Sequence, residues 1–139
     1  MTLSLIIGRF AAEPDEVTAI LGLRPTRAVR VGDQLPSGGT SSINSWELNV
    51  SDVAIEGGVA HHASLRKIVD IIDGKESAFR SLRDRIRPEL MSIVGEIVFP
   101  TSWLLGEHGV WMDARDMRAL ADCGLAWGVD IHLVETEHE

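Results

Sequence analysis

Three arginines, Arg24, Arg27 and Arg30, stand three residues apart in the stretch LGLRPTRAVRVGD at residues 21–33. A guanidinium offers a planar fork of N–H donors that matches the oxygens of a carboxylate or phosphate. A turn that gathered these side chains, with Thr26 beside them, would therefore make an anion site. In an extended segment the same spacing spans about 10 Å and sends neighbours in the series to opposite faces. The charges then serve to keep an edge strand from pairing with another chain, and that is the expected role, with the anion site as the alternative.

The remaining reactive residues carry less. His61 and His62 are adjacent, so on a helix they point about 100° apart, and no HExxH or paired CxxC accompanies them. No metal is expected. Asp130 and His132 share a strand face, which exposure to water explains. Cys123, the one cysteine, could be a nucleophile only beside a base supplied by the fold. Its place between a helix stripe and Gly124 predicts a small buried apolar residue instead. Ser37, Ser41 and Ser42 lie in a Gly-rich loop that has neither a GxSxG elbow nor a GxxxxGK[ST] phosphate loop. No catalytic residue and no cofactor is expected. Among the four tryptophans, Trp46 and Trp127 fall on apolar strand faces. Trp103 and Trp111 flank a turn around Glu107 and His108, where exposed indoles would anchor a protein contact. The expected binding residues are thus Arg24, Thr26, Arg27, Arg30, Trp103 and Trp111.

The elements that must position them follow from local pattern. Thr2 to Phe10 is apolar on both alternating faces, as in a central strand covered on two sides. Glu13-Pro14-Asp15-Glu16 opens a short helix, with proline in its first turn and carboxylates at the positive end of its dipole. Val17, Ile20 and Leu21 form its stripe, and Gly22 stops it. A strand carrying Val29 and Val31 on one face should pair, across the loop PSGGTSSIN, with a strand carrying Trp46, Leu48 and Val50. A helix from about Val59 to Asp73 buries Leu65, Ile68, Val69 and Ile72; the next, KESAFRSLRDRIR, buries Phe79, Leu82 and Ile86 and ends at Pro88. Leu90 to Phe99 reads as a strand, and another is expected from Trp103 to Met112. Asp113 caps a helix lined by Met117, Leu120 and Ala121. A last strand places Trp127, Val129, Ile131 and Leu133 on one side. The order predicts a single α+β domain over residues 1–139, with a mixed or mainly antiparallel sheet and helices packed on it. The β-α-β order at residues 2–31, echoed at 103–134, raises the option of two ferredoxin-like halves.

Composition excludes several classes. With 45% hydrophobic and 24% charged residues the chain is too apolar for a disordered one. No apolar run reaches the roughly 18 residues of a membrane span, so no membrane partner is expected. The first residues lack a basic segment followed by a signal-type apolar stretch, so the expected location is cytoplasmic. The 13 Lys plus Arg are outnumbered by 21 Asp plus Glu, a net charge of -8. That balance argues against a broad nucleic-acid-binding surface and suits a basic partner. The helix KESAFRSLRDRIR is locally basic and would suit nucleic acid or an acidic partner, although a solvated face is the usual meaning of such a pattern.

The succession Ile7-Gly8-Arg9-Phe10, an acidic helix ending LGLRPT, VGD, a polar loop and Trp46-Glu47-Leu48 resembles an uncharacterised bacterial family, domain of unknown function 4279. The likeness extends to the helix ending at Gly124 and the strand WGVDIHLV, although the family more often has an aromatic residue near the position of His132. The resemblance implies no established catalytic residues. By analogy, some related small domains look like immunity proteins that neutralise toxins. The expected function is a noncatalytic protein-interaction domain, with an immunity-like inhibitor of a basic partner as one form. The alternative is a small-ligand-binding regulatory domain with its anion site near the RPT segment.

Overall fold

The computed structural model describes residues 2–51, 60–100 and 112–134. Strand β1 (Thr2–Phe10) lies at the centre of a five-stranded sheet of order β2-β3-β1-β4-β5, where β2 is Arg27–Val29, β3 Asn44–Ser51, β4 Leu90–Pro100 and β5 Ala126–Val134. Neighbours are antiparallel except β4 and β5, which run parallel. The described residues also form four helices: α1 (Pro14–Leu21), α2 (Ala60–Ile72), α3 (Glu76–Arg85) and α4 (Ala114–Asp122). This is a mixed α+β fold, as the interleaved patterns require.

The pleat decides which residues meet the helices. Leu3, Leu5 and Ile7 share one face of β1 and are completely buried, while Thr2, Ser4 and Ile6 on the other face are half-buried. The central position expected of this strand is correct, but the cover is unequal, because the helices gather on one face. The register places Leu5 between Leu48 and Ile93, and Ile7 between Trp46 and Met91. Onto this row α2 lays Leu65, Ile68, Val69 and Ile72, a stripe at helical spacing, and α3 adds Phe79 and Leu82. Each such side chain removed from water stabilises the fold by about 1.5–3 kcal/mol. Trp46 is also fully buried, and its indole N–H donates to Thr18 Oγ1 at 3.0 Å, joining β3 to α1.

Helix ends follow the sequence. Pro14 occupies the first turn of α1, and Gly22 closes it in the left-handed conformation at φ 64°. Asp113 caps α4, accepting from Asp116 N at 2.9 Å. Two basic side chains from the α3 region cap other helices: Lys75 Nζ donates to Leu21 O at 3.0 Å and Arg83 Nη1 to Cys123 O at 2.6 Å. Both neutralise the carbonyl end of a helix dipole, so part of the basic character of KESAFRSLRDRIR is consumed inside the molecule.

Several expectations need correction. The second strand ends at Val29, and Val31 is 61% exposed, because the chain turns at Arg30, whose N–H donates to Asp33 Oδ2 at 2.8 Å. In α4, Met117 and Ala121 face outward and the inward residues are Asp116, Leu120 and, just beyond the helix, Cys123. The cap at Asp113 and the approach of Arg66 Nη1 to Asp116 Oδ1, at 3.8 Å, turn that side of the helix inward. In the edge strand β5, Trp127 and Val129 are half-buried but Ile131 is 61% exposed. In the first β-α-β stretch β3 lies between β1 and β2. The first strand of the second stretch, expected from Trp103 to Met112, lies, up to Trp111, outside the described residues, and with it the option of two ferredoxin-like halves. No helix among the described residues is long and apolar enough to cross a membrane.

Candidate functional site

The arginines of the opening stretch share no partner. Arg30 donates through Nε to Glu13 Oε2 at 2.9 Å and through Nη2 to Asp15 Oδ2 at 3.2 Å, so it ties the turn after β2 to the start of α1. The hydrogen bond to Glu13, and then the charge of Asp15, raise its pKa above the ordinary arginine value. Arg27 is exposed on the edge strand opposite Glu47, the place where a charge discourages pairing with another chain. Thr26 belongs to the same pairing, since its N–H donates to Glu47 O at 2.8 Å and its Oγ1 accepts from Asn49 N at 2.9 Å. Arg24 is exposed. Trp103 and Trp111 lie outside the described residues.

The other candidates are equally quiet. Cys123 is buried, and burial foremost pushes its thiol up to about 11, so at neutral pH it is not the thiolate a nucleophile requires. His132 Nε2 lies 3.2 Å from Glu96 Oε1, both exposed. Among the described residues no group of three or more His, Cys, Asp or Glu side chains is placed to hold a metal ion.

A different place has the shape of a site. Where β1 ends, β3 begins, α3 stops and β4 starts, the surface opens into a cleft of about 860 Å³. Its walls include Arg9, Arg87, Glu89, Val31, Ile43 and Asn44. Phe10 and Ile86, each 7% exposed, connect it to the core, while Val31 at 61% and Ile43 at 42% leave apolar surface in water. Asn44 holds the rim: its Nδ2 donates to Phe10 O at 3.1 Å and Ala12 O at 2.9 Å, and its Oδ1 accepts from Val31 N at 2.8 Å. One buried amide thus fixes the end of β1 against the turn after β2.

The two arginines of the cleft stand on unusual backbone. Arg9 has φ 57° and Arg87 φ 53°, the two non-glycine residues with positive φ among those described. Arg9 sits where the β1–β3 register shifts between Gly8 and Phe10, a bulge position at which glycine is the inexpensive residue. Arg87 follows the end of α3, its N–H donating to Leu82 O at 3.3 Å, the position that usually holds glycine after a helix. A side chain in the left-handed region costs about 1–2 kcal/mol. Both unfavourable positions carry a guanidinium, and both border one cleft. Arg9 Nη1 approaches Glu89 Oε2 only to 3.9 Å, with both side chains mostly exposed, which is a weak pairing. Neither residue was singled out from the sequence, because a left-handed backbone is announced locally by glycine or asparagine and not by arginine.

The family model described as Domain of unknown function (DUF4279) matches residues 1–134. No curated protein and no solved structure matches.

Proposed function

We propose that this chain, which belongs to the family Domain of unknown function (DUF4279), is a noncatalytic protein-interaction domain that docks its partner at the cleft between the end of β1 and the end of α3. The observation that carries the reading is the cleft itself, about 860 Å³ in volume, open to water, and bordered by exposed Val31 and Ile43 beside two arginines. Apolar side chains left in water next to charged ones are the usual composition of a contact surface. Among the described residues the cleft lining includes no histidine or cysteine, and Cys123 is buried elsewhere with its thiol kept neutral. An inhibitor of the immunity type would work by such docking, with binding alone as its activity.

A small-ligand domain with its anion site at the RPT segment is supported less, because Arg30 already satisfies Glu13 and Asp15. The test is affinity capture from the native cells with the wild-type chain and with Ile43→Asp, which places a charge on an exposed position of the cleft. A protein retained by the wild type and lost by the variant is the expected result. The same retained set for both, or none for either, would overturn the reading.

A further inference from the structure

The two residues with costly backbone are the two cations of the cleft, and this coincidence defines what the cleft can recognise. At each of these positions glycine would relieve strain, and at each the chain places a guanidinium beside exposed aliphatic surface. Strained backbone persists where the surrounding structure enforces it, and it gathers at binding sites. Two guanidinium groups against the one carboxylate of Glu89 leave the cleft locally cationic in a chain of net charge -8. That carboxylate stands 3.9 Å from Arg9 and its side chain is 71% exposed, so it can be displaced.

We infer that Arg9 and Arg87 form the recognition pair for an acidic peptide segment of a partner protein, one that alternates carboxylate side chains with aliphatic ones. The carboxylates meet the guanidinium forks, and the aliphatic side chains cover Val31 and Ile43. An open cleft covers one side of its occupant, which suits a peptide whose other side belongs to a folded partner; a metabolite is ordinarily enclosed. This inference rests on the docking reading above and narrows it to one partner chemistry. It also reverses the basic partner expected from net charge, since contact chemistry is set by the local surface.

The test is an NMR titration of the full chain with a capped peptide of alternating leucine and glutamate, and with its glutamine and lysine counterparts. The leucine–glutamate peptide is expected to shift the methyl signals of Val31 and Ile43 and the side-chain Nε–H signals of Arg9 and Arg87. The glutamine peptide, which loses the charge at both guanidinium contacts, should bind about a hundredfold more weakly, about tenfold for each charge-assisted hydrogen bond. Arg9→Gly and Arg87→Gly should keep or raise the melting temperature yet each lose about tenfold in affinity, an outcome that separates a recognition role from a structural one. Glu89→Gln, which removes the competing carboxylate, should tighten binding. Equal or stronger binding of the lysine peptide at the same residues would overturn the acidic class and leave the docking reading standing. No shift at the cleft with any peptide would overturn the inference, while retention of a partner by the wild type and its loss with Ile43→Asp would still uphold the docking reading. A response of the arginine signals to inorganic phosphate alone, with Val31 and Ile43 unmoved by peptide, would also overturn the inference.

Discussion

Arginines occur in two settings near the same end of this molecule, and the contrast separates charges that serve the fold from charges that are held out for something else. Around β2, Arg27 stands opposite Glu47 on an edge strand, and Arg30 bridges Glu13 and Asp15 at the start of α1. At the cleft, Arg9 and Arg87 sit at a bulge and a helix end with φ 57° and 53°, and Glu89 stands 3.9 Å from Arg9. In the first group Arg30 satisfies carboxylates of its own chain, and both arginines stand on ordinary backbone. The second occupies strained backbone with little internal compensation, so its placement is not explained by stability.

The largest effect tests the support that both settings share. Asn44→Ala removes the amide that ties Phe10 O and Ala12 O to Val31 N, leaving buried backbone groups unpaired. Urea denaturation should show a loss of about 2–4 kcal/mol. A loss no larger than that of an exposed substitution would mean that the cleft rim is held by other contacts.

The sharpest division comes from one substitution made in both places. Arg87→Gly should stabilise the chain by about 1 kcal/mol, because glycine accepts the left-handed conformation without penalty. Arg27→Gly should destabilise it by about 0.5–1 kcal/mol, because glycine weakens a strand. Opposite signs in the same denaturation experiment would confirm that the two arginines stand on different backbone for different reasons. Equal signs would break the comparison.

The smallest effect belongs to Arg30. Removing it as Arg30→Ala frees two exposed carboxylates at the first turn of α1, where the helix dipole still favours them. The expected change in stability is slight and shrinks further in added salt, as exposed ion pairs do. A large, salt-insensitive loss would show that the turn after β2 depends on this bridge.

What the sequence by itself determined is whatever short-range physics controls. The stripe Leu65, Ile68, Val69 and Ile72 is legible because a helix brings every third and fourth residue to one side, and these four are buried. The glycine stop at Gly22 and the cap at Asp113 are equally local, and the structure holds each as expected. The α4 stripe misled because Leu120 is compatible with two rotations of the helix, and Asp116, a charged residue, lies buried near Arg66. Tertiary structure alone decided that residues from 9, 31, 43 and 87 meet in one cleft. It also decided the sign of φ at Arg9 and Arg87, because a bulge and a chain reversal are enforced by what packs around them. Local patterns act over a few residues, whereas a site of this kind is assembled across about eighty and comes into being only when the strands have found their register.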